Sequence, residues 1–413
     1  VSLVKDPALA PQGALKIRWA EARMPVLGKI RARMTKERTF ADLKIGMCMH
    51  IEMKTAVLVK TFQDAGAVIA ITGSNPLSTQ DDVAAALADM GINVYAWRGV
   101  TAEEHLENIG RVLAFQPELI IDDGAELSVA ILTQRTDLKE KIVGACEQTT
   151  TGIRRLRALQ DKGMLQFPVI SVSEARTKFL FDSQHGSGQS TLDGVMRTTN
   201  LLIAGKIFVV AGYGWVGRGI ASRARGLGAQ VIITEVDPIR ALEALMEGMR
   251  VMPMKEACKI GDIFVTATGC RDVITAEHML SMKDGAILCN SGHFDVEVNV
   301  RDLERVSISR RTVRSNVEEF TLPDGRRLYL LSEGRLVNLA AADGHPVEVM
   351  DMSFADQALA AEYLLKNAYR LEDRIHEFPL ELDREVARLS LEASGVEIDK
   401  LTAGQIEYLL SWR

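Results

Sequence analysis

Gly212, Gly214 and Gly217 stand in the segment VVAGYGWVGRG, and Glu235 follows at the end of AQVIITE. Glycines at this spacing let a backbone approach a pyrophosphate. The phosphates then rest on the N-terminus of the next helix, where unpaired N–H groups and the helix dipole favour negative charge. The spacing alone is a weak signal. Here KIFVVA precedes it as a strand, GRGIASRARGLG follows as a helix, and an acidic residue closes the next strand. That context makes it a dinucleotide site. A carboxylate at position 235 accepts from both adenosine ribose hydroxyls and repels a 2′-phosphate, so the pattern predicts NAD rather than NADP. Trp215 and Val216 fall within the loop and are expected beside the cofactor.

The elements that must position such a site are legible from periodicity. Apolar strand candidates alternate with helical segments: KIGMCMHI, AVIAITG, NVYAW, ELIIDDG, KIVGAC and PVISV in the first part, then KIFVVAGYG, AQVIITE, DIFVTATG and AILCNSG. This alternation predicts an α/β protein with two doubly wound, Rossmann-like domains, parallel sheets and a helical C-terminal tail. The expected boundaries are 1–180, completed by about 346–375, for a substrate domain. The cofactor domain is expected over 188–343 and an oligomerisation tail over 376–413. The 413 residues suit two or three domains, and 47% hydrophobic residues suit a packed globular chain. A net charge of −6 argues against nucleic acid as partner. No apolar run approaches a membrane span, and the N-terminus has no signal pattern, so a cytoplasmic location is expected. The five scattered cysteines form no CxxC pair, and no metal site is expected.

Eight segments carry a resemblance: NPLSTQDDVAAAL, IIDDGAEL, EQTTTG, GQSTLDG, VVAGYGWVGRG, VTATGC, NSGHFDVE and EGRLVNLAAADGHP. The chain resembles the adenosylhomocysteinase family, in its shorter, archaeal-type form, from about residue 5 to the end. It closes on LLSWR, without the Lys and Tyr tail that other members place in a neighbour's NAD site. The family implies a homotetramer, a bound NAD that is not consumed, and an adenine nucleoside as substrate. In its chemistry the ribose 3′-hydroxyl is oxidised, the 4′ proton is removed, and the group on C5′ leaves. Carried over by motif, His50 and Asp123 resemble the groups at C5′. Lys178 and Asp182 resemble the pair at the 3′-hydroxyl and 4′ proton. His293 and His345 resemble the two histidines of the interdomain cleft. Thr149, Thr150, Thr151, Thr268 and Asn338 resemble cofactor contacts from outside the Gly-rich loop.

The departures fall around the sugar and the base. Gln148 replaces a ribose-binding Glu, Ser173 and Ser183 replace Asn, and His185 replaces a Tyr-like residue. Glu52 and Lys54 occupy positions that contact the adenine. These changes, with Lys178, Asp182, His50, Asp123 and His293 retained, lead to an expected nucleoside dehydratase. It would expel the 5′-hydroxyl as water and release a 4′,5′-unsaturated nucleoside. The alternative is a hydrolase of S-adenosyl- or S-inosylhomocysteine. A non-catalytic NAD or nucleotide binder would be expected to lack Lys178 or Asp182, and both are present. Lobe closure is expected on hinges near 175–190 and 340–348.

Overall fold

The computed structural model describes residues 2–412. Two eight-stranded sheets organise the chain. The first contains β1 (Leu3–Val4), β2 (Lys44–Met49), β3 (Val68–Gly73), β4 (Asn93–Ala96), β5 (Leu119–Asp122), β6 (Gly144–Glu147), β7 (Val169–Ser171) and a late strand, β16 (Ile375–Glu377). The second contains β8 (Ile207–Ala211), β9 (Gln230–Thr234), β10 (Arg250–Val251), β11 (Ile263–Thr266), β12 (Ala286–Asn290), β13 (Ser309–Arg314), β14 (Val317–Thr321) and β15 (Arg327–Leu331). The central strands are buried on both faces, as parallel strands between helix layers must be, so their sequences read as unbroken apolar runs.

The order of the first sheet is 1-4-3-2-5-6-7-16, and every pairing in it is parallel. The second runs 10-9-8-11-12-15-14-13. It is parallel through β15, and β14 and β13 then add antiparallel. That antiparallel hairpin was not expected. Its edge strand SRRTVR is exposed along its whole length and has no apolar face for periodicity to show.

Strand order reverses between β2 and β5 in one sheet and between β8 and β11 in the other. Connections diverge to opposite faces at these points, and the open crevice lies beyond the carboxyl ends of the strands. The chain crosses from the first lobe to the second through residues 178–190. It returns through 337–347 into the helix Val347–Asn367, whose Phe354, Ala355, Ala358 and Leu359 complete the first lobe's core.

The tail is divided. β16 pairs with β7, and Val386 and Leu389 of the helix Leu380–Ala393 are buried in the first lobe's core. The segment 392–412, with the helix Ala403–Leu410, stands exposed. No helix among the described residues is long and apolar enough to cross a membrane.

Candidate functional site

Both crevices open into one cavity of about 1030 Å³ between the lobes. His50 and Asp123 follow the last residues of β2 and β5, on either side of the first switch point. Gly212 and Thr268 follow β8 and β11 on either side of the second. Gln148 and Ser173 follow β6 and β7, and His293 follows β12. The His50 side and the Gly212 loop therefore face the same space.

His50, Asp123 and His293 form one cluster. The Nδ1 of His50 is 2.8 Å from Ser78 Oγ and 3.1 Å from Ser74 Oγ, which fixes the ring. Its Nε2 lies 3.7 Å from an Asp123 oxygen, and Nδ1 of His293 lies 3.5 Å from the other. Burial holds both imidazoles neutral, lowering each to about 4, although Glu52 opposes this at His50 and Asp123 opposes it at His293. Burial also raises the Asp123 carboxyl, against the pull of His293 and Lys178. One Asp123 oxygen, Oδ1, is buried without a hydrogen-bond partner, an acceptor awaiting a donor. Among the described residues these three are also the group whose donor atoms lie close enough, within 4.8 Å of one another, to hold a metal ion.

The lobes meet closely here. Gly124, at φ +97°, has space for no side chain, because a Cβ would stand 2.4 Å from His293 Nε2. The turn around it is held by buried Glu147, whose carboxylate accepts from the N–H groups of Gly124, Ala125 and Thr149 at 2.8–2.9 Å.

The second cluster sits on a nine-residue π-helical turn, Lys178–Gly186. Asp182 accepts from Lys178 Nζ and meets His345 Nδ1. Burial alone would raise this carboxyl, but Lys178 and His345 outweigh it and hold it far below the usual range. Ser353 Oγ donates to Asp182 at 3.0 Å and accepts from Gln148 Nε2 at 2.7 Å. The Gln148 Oε1 is buried and unpartnered. His345 Nε2 is 3.1 Å from Ser187 Oγ. Ser173 and Ser183 line the cavity beside this group.

His185 does not join them. It is exposed, and its Nδ1 is 3.2 Å from Arg223 on the helix Trp215–Gly226, so its expected place at the sugar is corrected. The wide π turn brings Lys178 and Asp182 to one face and leaves residue 185 on the other.

Also on the cavity wall, Lys54 is buried, its ammonium 2.7 Å from both Glu52 Oε2 and the Asp343 carbonyl. Glu52 caps the helix Met53–Asp64. Its Oε1 accepts from Thr55 N and Oγ1, and its Oε2 from Lys54 N and Nζ.

On the other side of the cavity the residues fit a dinucleotide. Gly214 caps the helix Trp215–Gly226 and opens its N–H groups toward the cavity, which Gly212, Trp215 and Val216 also line. Gly217 lies beneath, where a Cβ would be 1.9 Å from the Gly212 carbonyl. Glu235 lies at the rim, accepting from Tyr213 N at 2.7 Å. Thr149, Thr150, Thr151 and Thr268 line the space between the lobes. Asn338 donates to Ser190 Oγ at 3.2 Å, and its buried Oδ1 has no partner, which leaves an acceptor for a carboxamide.

Several contributors escaped the sequence reading. Ser353 is an ordinary serine inside a helix. Glu297 clamps the Thr268 loop through Thr268 N and Gly269 N at 2.9 and 2.8 Å, and only its burial marks it out.

Two family models match the chain. One is described as S-adenosyl-L-homocysteine hydrolase, over residues 2–141, and the other as its NAD binding domain, over residues 183–344. A curated relative from Methanocaldococcus jannaschii, S-inosyl-L-homocysteine hydrolase, is 58% identical over 99% of both chains. An adenosylhomocysteinase from Archaeoglobus fulgidus is also 58% identical, over 97% of this chain and 99% of the relative. An S-inosyl-L-homocysteine hydrolase from Methanococcus maripaludis is 56% identical over 100% and 99%.

Proposed function

The chain belongs to the S-adenosyl-L-homocysteine hydrolase family, and from that premise we propose that it cleaves S-inosyl-L-homocysteine to homocysteine and inosine. It is an NAD-dependent enzyme. Bound NAD supplies reversible oxidation at the sugar's 3′ carbon, and Gly212, Gly214, Trp215, Glu235, Thr268 and Asn338 would hold it.

The rest falls to this chain's side chains. Lys178, in its neutral form, takes the proton released at the 3′-hydroxyl and passes it along Asp182 and His345 before it takes the one from the 4′ carbon. Neutral His50 and His293, with Asp123 between them, move protons at C5′ as the thiol leaves and water adds. The unpartnered Gln148 Oε1 accepts from a sugar hydroxyl. Burial of both clusters keeps bulk water from the unsaturated ketone.

One observation carries the choice of base. Four donors already fill the four acceptor sites of the Glu52 carboxylate, while Lys54 has three N–H donors and two acceptors. The pair thus offers a donor and no acceptor. A 6-oxo group accepts from it, whereas a 6-amino group can only donate. This supports the inosyl substrate over the adenosyl one.

The expected dehydratase gives way to the hydrolase. Its near relatives carry hydrolase names, His185 lies outside the cavity, and the cluster that handles water at C5′ is complete. We further propose a homotetramer. Ile239, Leu242 and Met246 stand exposed along the helix Pro238–Met246, and Ile406, Leu409 and Leu410 do so on the last helix, giving apolar faces for self-association.

The test is to supply purified NAD-loaded enzyme with S-inosyl- and S-adenosylhomocysteine separately and measure thiol release. Faster release from the inosyl substrate is expected. No thiol from either, with inosine or adenosine losing water by mass, would restore the dehydratase.

A further inference from the structure

Thr177, one residue before Lys178, sits between two carboxyl groups. Its Oγ1 is 3.0 Å from each oxygen of Asp356, on the helix Val347–Asn367. It is 2.5 Å from Asp383 Oδ1, on the helix Leu380–Ala393. All three residues are buried, Asp356 completely.

The hydrogens can be counted. Asp383 accepts the backbone N–H groups of Arg176 at 2.7 Å and Thr177 at 2.9 Å, as an ionised carboxylate does. The Thr177 hydroxyl has one hydrogen, and the shorter contact takes it to Asp383. No hydrogen then remains between the Thr177 oxygen and Asp356 unless Asp356 brings one. Two bare acceptors at this distance in a dry interior would repel.

We infer that Asp356 is a neutral carboxylic acid at neutral pH, donating to Thr177, and is a positioning residue for Lys178. The hydrogen-bond chain runs from Asp356 through Thr177 to Asp383. It anchors the start of the π-helical turn from the helices Val347–Asn367 and Leu380–Ala393 at once. Burial and the nearby Asp383 push the Asp356 carboxyl well above its usual range, and Thr177 and Lys178 pull only partly against this. The charged groups facing it are Asp383 from the last buried helix, and Lys178 and Asp182 from the crossing segment. Neutrality also has a chemical use. A second carboxylate behind Lys178 would favour its charged form, and a base must give up that charge to accept a proton.

The inference rests on the proposed function only for its activity readout. Asp356→Asn replaces the acid by a neutral group of the same shape that still donates to Thr177. Two measurements on NAD-loaded protein decide the matter. The first is the infrared difference between wild type and Asp356→Asn at neutral pH, which should show the C=O stretch of a protonated carboxylic acid in wild type alone. The second is the pH profile of NADH absorbance on adding inosine, a half-reaction that needs no hydrolysis. Asp356→Asn should keep the neutral-pH rate within about threefold and lose the alkaline fall of the wild type, whereas Asp356→Ala and Thr177→Val should each lose about tenfold, as for a broken buried hydrogen bond. Absence of the acid band would overturn the inference. So would an Asn variant that is as impaired as the Ala variant or fails to fold. If no nucleoside reduces the cofactor in wild type, the proposed function fails, and the infrared measurement still decides the state of Asp356.

Discussion

Replacing Lys54 by Gln should redirect the enzyme from a 6-oxopurine toward a 6-aminopurine. The ammonium is buried and held at 2.7 Å by Glu52 and by the Asp343 carbonyl, so it is aimed rather than mobile. A hydrogen bond from a charged donor contributes about 1.5–3 kcal/mol and one from a neutral amide about 0.5–1.5 kcal/mol. The difference of about 1–1.5 kcal/mol lowers kcat/KM for S-inosylhomocysteine roughly tenfold. The amide also brings an acceptor that a 6-amino group can use, which should raise kcat/KM for S-adenosylhomocysteine by about the same factor. The ratio of the two therefore shifts about a hundredfold. Glu52 keeps its backbone and Thr55 donors in the variant but loses the ammonium that balances its buried charge, so a lower melting temperature should accompany the change in specificity. The assay is thiol release from each substrate under kcat/KM conditions. A ratio that moves less than twofold would refute the donor-only reading of this pocket.

Three further outcomes are expected. Glu235→Ala removes the carboxylate predicted to bind both ribose hydroxyls and should weaken NAD retention by about 2–4 kcal/mol, read as NAD(H) recovered from heat-denatured protein after gel filtration. Gly124→Ala combines a left-handed φ with a Cβ 2.4 Å from His293, so it should lower stability by about 1–3 kcal/mol and cut activity further by pushing the lobes apart; thermal melts and turnover measure the two effects. His50 and His293 titrate at about 4 when folded and near the ordinary 6.5 when unfolded. The unfolded chain therefore binds protons first as the pH falls, and stability should drop from about pH 6.5 toward pH 4. A His50→Gln variant should show a shallower drop in its melting temperature over that window.

What the sequence made legible divides along physical lines. The Gly212 loop and the central strands were readable because backbone approach and double-sided burial leave strong local patterns. His50 and Asp123 came from the resemblance alone, through KIGMCMHI and IIDDGAEL, and the structure sets each directly after the last residue of a central strand. The edge hairpin was not, since Ser309–Arg314 carries no apolar face. Likewise, the amphipathic segment 376–413 read as one oligomerisation tail. An amphipathic helix shows that it buries a face without showing against what, and Val386 and Leu389 bury theirs in the first lobe. His185 was misplaced because position along a segment does not give the pitch of a π turn. Asp356 and Asp383 stayed hidden because their partner, Thr177, is more than 170 residues away in sequence.

The strand of chain that leaves the first lobe carries Lys178 and Asp182, and the one that returns carries Asn338 and His345. The connectors are thus neither spacers nor property of either lobe. Exchange of whole lobes between distant relatives would have to cut through the wall of the shared cavity, so such chimeras should inherit two sound folds and no working chemistry. A lineage of this architecture is bound to change its two halves together, residue by residue, rather than by shuffling them.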